Sequence, residues 1–279
     1  MKAIPFMLVS LFTACTLAAA TIDSPIATNN VVVPRGSAAQ ILVPAAGSLQ
    51  GGNGTFFKSD ISIVNYRTDA DQRVRLQWIP RDATGGTSNG FPPVDITIRA
   101  AAGTASEDFV ATVLQRQGLG AILVTAITDA GAFDTAGRLY VTDRIWTQQP
   151  GSAGTVSQSF PTISTADFSN GSVTILGQRN DPRYRSNVGI VNLETTTQSY
   201  TITYSNSDGT APLSTTTTVP PFGMTQLSLA QANSTGSALQ ISVNDTTGGH
   251  NWIAYGSSVD NITGDSWSSL GFRSPLDAP

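Results

Sequence analysis

Lysine, glutamate, histidine and cysteine are all scarce in this chain of 279 residues. Lysine occurs only at Lys2 and Lys58, glutamate at Glu107 and Glu194, histidine at His250 and cysteine at Cys15. One histidine and one cysteine exclude the common zinc ligand sets. A Ser-His-Asp triad needs its histidine held by a carboxylate in a shaped pocket, whereas His250, in the glycine turn "TTGGHNW", reads as an exposed hairpin residue. Glycosidic cleavage needs two carboxylates facing each other across a cleft, and the two glutamates fall in an expected helix and an expected turn. The formal charge is −4, with a pI near 4.8, and it becomes −5 once Lys2 is removed with a leader. That balance argues against nucleic acid or an anionic membrane as partner. Long apolar runs are missing as well. The longest, "FMLVSLFTACTLA", is about 13 residues, short of the ~20 that a membrane span requires.

That run has another use. Lys2, the apolar stretch and "AAA" before Thr21 make residues 1–20 an expected export signal. A competing reading takes "FTAC" as a lipoprotein site with Cys15 as the lipidated residue. Cleavage at Ala20 instead removes the only cysteine, so stability must come from core burial. Either way the expected location is the periplasm, the cell surface or the extracellular space.

The remainder alternates apolar or β-branched residues with polar ones: "DISIVN", "RVRLQWI", "VDITIR", "SYTITY", "ALQISVN". Gly, Asn, Asp and Pro punctuate these runs roughly every ten residues, the signature of antiparallel sandwiches. One stretch, "TASEDFVATVLQRQGLG", breaks the alternation and predicts a short helix capped by Ser106. The phrase "FFKSDISIVN" at 56–65 returns as "RYRSNVGIVN" at 183–192, and the strands after it recur in order. "GAILVTAITD" (120–129) matches "GSALQISVND" (236–245), and closing strands end at Asp143 and Asp260. The expectation is an all-β chain of two tandem antiparallel β-sandwich domains, one short helix in the first, with modules at 38–163 and 171–275. In the repeated phrase, Ile61, Ile63, Val188 and Ile190 should face the core. Asn65 and Asn192 should open turns by bonding their own backbone.

The run "ILVPAAGSLQGGNGTFFKSDISIVN" (41–65), with "AYGSSVDNITGD" (254–265), resembles tandem immunoglobulin-like β-sandwich modules of secreted and surface bacterial proteins. The resemblance covers most of residues 38–272 and its motifs are structural. It implies export, an all-β fold and a non-catalytic role. The first module departs from the pattern where "DRIWTQQPGSAGTVSQSFPTI" replaces the shorter closing phrase.

Contact candidates are few. Trp78 and Trp252 lie within strand patterns and read as core, whereas Trp146 and Trp267 sit in polar context, where an indole can stack on a sugar ring. Arg179, Arg183 and Arg185 gather around Tyr184 and could grip an anion or pair with Asp181. "DNITGD" and "YRTDADQ" hold hard oxygen ligands without the spacing of a calcium loop, and they read as turns. Five Asn-x-Ser/Thr sequons, at Asn53, Asn170, Asn233, Asn244 and Asn261, are what a Thr-rich chain produces by chance. The expected function is a non-enzymatic exported structural or interaction protein of the bacterial envelope, with no cofactor and a protein or polysaccharide partner. A carbohydrate-binding protein is the alternative. A periplasmic fibre-assembly chaperone fits less well, since such proteins are basic and use a cleft lysine.

Overall fold

The computed structural model describes residues 21–22, 33–82, 91–149, 151–168, 171–206, 209–210, 212–229 and 238–273. The leader expected over 1–20, Cys15 and the sequons at Asn170 and Asn233 lie outside them. The chain is all-β with antiparallel sheets. Among the described residues no helix is long and apolar enough to cross a membrane.

The first repeat contains β1 (Thr21–Ile22), β2 (Gln40–Gln50), β3 (Phe56–Asn65), β4 (Gln72–Pro80) and β5 (Val94–Ile98). It continues with β6 (Gly103–Ser106), β7 (Gly118–Ile127), β8 (Leu139–Gln148), β9 (Thr155–Gln158) and β10 (Ile163–Ser164). The second repeat contains β11 (Ser172–Gln178), β12 (Tyr184–Asn192), β13 (Gln198–Asn206) and β14 (Leu213–Val219). Its later strands are β15 (Gly223–Ser228), β16 (Leu239–Asp245), β17 (Trp252–Asp260) and β18 (Ser266–Leu270). In the second repeat the strands pair as β11-β16-β13-β14 and as β15-β12-β17-β18. In the first they pair as β2-β7-β4-β5 and as β6-β3-β8-β9. Replacing β2 to β9 by β11 to β18 in turn converts one order into the other. The first repeat's strands join into one ten-stranded sheet because Ser48–Gln50 of β2 pair with Phe56–Lys58 of β3, with β1 and β10 added at edges.

Each repeat has its own core, drawn from both of its four-strand rows. Ile61, Ile63, Val74, Leu76, Trp78, Ile122 and Val124 meet in the first, and Val188, Ile190, Tyr200, Ile202, Val243 and Trp252 in the second. The inward positions read from the repeated phrase, and the burial of Trp78 and Trp252, are as the alternation required. The expected helix shrinks to one turn, α1 (Phe109–Thr112). Ser106 does not cap it but ends β6, while Asp108 precedes the turn in a left-handed conformation without a cap bond. Gln115, also left-handed, follows at once. Phe109, Val110 and Leu114 hold the turn in place by burial, since four residues cannot sustain a helix alone.

Two sequence matches shift. Asp143 pairs with Ile61 in mid-strand, and the matching partner of Val188 is Gly256, so Asp143 and Asp260 are not equivalent. Trp78 opposes Ile122 as Tyr204 opposes Ile241, which places the β7–β16 match three residues from the sequence alignment. The tail that departs from the closing phrase is a hairpin, with β8 running on to Gln148 and turning back as β9.

A third apolar cluster was not anticipated. Leu42, Ala45, Ile79, Ala121 and Leu123 on the outer face of β2-β7-β4 pack against Val191, Met224, Ile253 and Tyr255 on the outer face of β15-β12-β17. Strands buried on both faces read as continuous apolar or small-residue runs, which is how "ILVPAA" and "WIAYGSS" read. Gly189 makes the contact possible, because a Cβ there would lie 2.1 Å from the Tyr255 ring. Phe160 meets the same ring edge-on at 5.2 Å. Polar clasps flank the apolar patch. The Asp82 amide donates to the Met224 carbonyl at 2.8 Å on one side, and Ser257 Oγ donates to Gln158 at 3.0 Å on the other.

The repeated phrase ends on the same device twice. Asn65 Nδ2 faces the carbonyls of Ala70, Ile98 and Arg99 at 3.0, 3.3 and 3.1 Å, and its Oδ1 accepts from the Arg67 amide at 3.0 Å. Asn192 Nδ2 faces Thr196, Val219 and Pro220 carbonyls at 3.0, 3.1 and 3.0 Å, with Oδ1 accepting from the Glu194 amide at 2.8 Å. Both side chains are fully buried. Asn192→Asp, isosteric but without the amide donor, is expected to lower stability by about 2–4 kcal/mol, because it removes one buried donor from three carbonyls and sets a carboxylate against them. Equilibrium urea unfolding measures it, and Asn65→Asp should behave alike.

Candidate functional site

The sequence candidates separate into two clusters and a cleft. On the outer face of β3 and β8, Trp146 lies opposite Lys58, and Arg144 lies opposite Asp60. The indole N–H donates to Asp60 at 2.6 Å, and Arg144 Nη2 donates to the same carboxylate at 2.8 Å. Lys58 Nζ and Arg144 Cζ sit 5.5 and 5.8 Å from the indole centroid. Two cations therefore already use the ring's π density, and its one donor is taken.

The second cluster forms where β12 meets the turn after β17. Trp267, half-buried in β18, donates from Nε1 to the Gly177 carbonyl at 3.0 Å and packs edge-on against Tyr184 at 5.8 Å. Arg179 and Arg183 lie over the Tyr184 ring, 5.4 and 5.2 Å from its centroid. Arg183 pairs with Asp260 at 2.8 Å, not with Asp181, the partner expected from sequence. Asp181 is occupied otherwise, accepting from the amides of Arg183 and Tyr184 at 2.8 and 3.0 Å. Arg185 Nη1 donates to Asn261 Oδ1 at 2.6 Å. The Ile262 amide foremost, with Arg183 and the Thr263 amide, holds the Asp260 carboxyl below the usual range. The "DNITGD" loop is thus built around its first aspartate as a turn. In "YRTDADQ", Asp69 pairs with Arg67, and Asp71 accepts from the Ala100 amide. Among the described residues no three metal-ligating side chains gather.

Between the repeats runs a cleft of about 380 Å³. Phe57, Ile145 and Val156 line it from the first repeat, and Arg185, Asp260 and Ile262 from the second. Ile262 is 77% exposed at the rim. Of the tryptophan and arginine candidates only Arg185 reaches the cleft, while Trp146 and Trp267 lie outside its lining. His250 is exposed, and its backbone amide donates to Glu194 Oε1 at 2.7 Å. That bond, with one from the Asn251 amide, draws Glu194 below the usual carboxyl range. The carboxylate ties the turn through the His250 and Asn251 amides and the Asn251 side chain.

One ionisable group stands apart. Asp143 is 6% exposed within the first repeat, and neither carboxylate oxygen has a hydrogen-bond partner among the described residues. Burial, with a smaller contribution from Asp60, pushes its carboxyl well above the ordinary value, and the Arg144 amide opposes this. Nothing in "RLYVTD" marked it, since the residue reads as a strand end. The register β8 adopts is what turns it inward.

No family model and no curated protein matches the chain. A solved chain described as "Crystal Structure of Thermotoga maritima 1070" is similar at 14% identity over 37% of this chain and 94% of that one, with a TM-score of 0.31.

An aspartate in the unfolded chain titrates near 3.8, and the folded Asp143 binds its proton more tightly. Its contribution is therefore most favourable below that pH and is lost as pH rises through the folded value. Asp143→Asn removes this dependence. Its stability relative to the native chain should be near parity below the ordinary aspartate value and then climb in its favour as pH rises towards the folded value, by about 1–3 kcal/mol. Paired urea titrations across pH measure the difference.

Proposed function

We propose that this chain is a non-enzymatic exported scaffold and interaction protein of the bacterial envelope or extracellular space, built from two tandem immunoglobulin-like β-sandwiches. The observation that carries the reading is the identical pairing order of the two repeats, β2-β7-β4-β5 with β6-β3-β8-β9 and its counterpart in β11 to β18. Their packing through the third apolar cluster supports it further. Such a body offers rigid surfaces and loops at defined separations, which is what a scaffold supplies. The polar clusters support it too. Their carboxylates are spent on turns, ion pairs and indole. The candidate residues Trp146, Trp267, Arg179, Arg183 and Arg185 serve in this reading as surface organisation. The partner is a protein of the same compartment.

The test is capture from envelope and culture-medium extracts with immobilised Thr21–Pro279, with and without EDTA. A specific protein retained in both conditions is the expected result. Polysaccharide retained alone, and lost in Trp146→Ala or Trp267→Ala, would replace this reading with a carbohydrate-binding one. Turnover on a broad panel of hydrolase substrates by the purified chain would end it.

A further inference from the structure

We propose that β14 is the edge through which two copies of this chain pair, antiparallel and about a two-fold axis at Thr216. The inference takes the scaffold reading further by naming one partner, a second copy, and it stands on how the sheet edges are managed. An unpaired strand edge is a template for another chain and is normally covered or charged. The two repeats present eight edges. β10 covers β2, and β1 covers β6. Phe272 bridges to Thr174 of β11, and Arg81 with Asp82 runs beside Met224 of β15. β9 and β18 lie against each other, with Ser266 Oγ donating to the Ser157 carbonyl at 3.0 Å. β5 is blunted by charge: Asp95, its second residue, is held by Arg75 at 2.9 Å and Arg73 at 3.3 Å.

β14, the counterpart of β5, shows none of these protections among the described residues. Among the described residues it pairs with β13 alone. Its sequence, "LSTTTTV", has no charge, proline or glycine over seven residues, against five in β5. Ser214, Thr215, Thr216 and Thr218 are exposed, and Leu213 is 42% exposed although it lies on the core-facing side with Val219. Pro212 and Pro220 bound the window, and neither can donate to a ladder, so pairing is confined to these seven residues.

The same features select a second copy as occupant. Across a two-fold axis every side chain on the edge meets one from the same strand, so any charge at the centre would meet its like. A neutral edge avoids this. With Thr216 on the axis, Thr215 opposes Thr217, Ser214 opposes Thr218, and Leu213 opposes Val219. Thr–Thr and Thr–Ser pairs are favourable across strands, and the exposed leucine gains cover. The two β11-β16-β13-β14 rows would become one eight-stranded sheet. The contact is small, so association is modest, and the chain's acidic charge opposes it. Added salt should therefore strengthen pairing, the reverse of an interface built on ion pairs.

Sedimentation velocity over a range of micromolar concentrations reads the association. The native chain is expected to form a dimer that tightens with salt. Thr216→Lys should weaken it about tenfold or more, while Ile262→Lys, the same charge added at another exposed site, should leave it unchanged. Thr216→Cys on a Cys15→Ser background should give a disulfide-linked dimer on mild oxidation, and this arm stands even if the lysine variant folds poorly. A chain that stays monomeric throughout, a dimer indifferent to Thr216→Lys, or absence of the Thr216→Cys cross-link overturns the pairing. A monomer that still captures an envelope protein sinks the pairing and leaves the scaffold reading standing. A dimer that turns over substrate does the opposite.

Discussion

Two buried asparagine amides hold the corners of this protein. Asn65 and Asn192 each close the strand that runs through the middle of a repeat, and each collects three carbonyls from the loops returning to it. Those carbonyls lie where a strand ends and a turn begins. Burying them unpaired is costly, and one side chain with two hydrogens and a receptive oxygen meets the need in a single place. Once that corner is set, β3 and β12 cannot slip in register without moving every inward side chain to the wrong face. The serines of the same phrase tie the opposite end. Ser59 accepts from the Gly47 amide at 2.8 Å, and Ser186 donates to the Arg179 carbonyl. The chain repeats the phrase because each copy must solve the same corner.

The corners leave the outer faces free to diverge, and the two repeats use that freedom differently. β12 and β17 carry small and aromatic residues outward, with Gly189 making room for Tyr255. β3 and β8 carry Lys58, Asp60, Arg144 and Trp146 outward, a self-satisfied polar surface. One face was shaped to be covered and the other to stay wet. At Asp143 the first repeat keeps a carboxyl where the second has Gly256, a local conflict with the core that contributes nothing visible to folding.

Much of this was legible before any coordinates. "DISIVN" and "SYTITY" alternate because one face is buried, and the terminal asparagine of "IVN" announced its turn. What was not legible depended on separation along the chain. Arg183 finds Asp260 some 77 positions away, whereas the sequence pointed to neighbouring aspartates such as Asp181. The equation of Asp143 with Asp260 failed because β8 is extended by a hairpin, so matching strand ends misaligned strand middles. The helix was overread because Ser106 and the acidic pair after it satisfy capping statistics, while left-handed Asp108 and Gln115 leave room for one turn. The packing of repeat on repeat had a signal in "ILVPAA" and "WIAYGSS", runs too continuous for strands with one wet face.

That packing also sets an order of events. The outer face of β2-β7-β4 is complete once Ile127 has been made, yet its cover, ending with Ile253 and Tyr255, comes more than a hundred residues later. At translation rates of about 5–20 residues per second, the first repeat spends roughly 6–25 s with Leu42, Ile79 and Leu123 open to solvent. A leader that keeps the chain unfolded until it has crossed a membrane would move that interval to the far side, where the second repeat arrives by threading instead of by synthesis. The nascent chain is therefore most vulnerable to clumping midway through its own completion, and whatever holds it then must recognise an apolar sheet face.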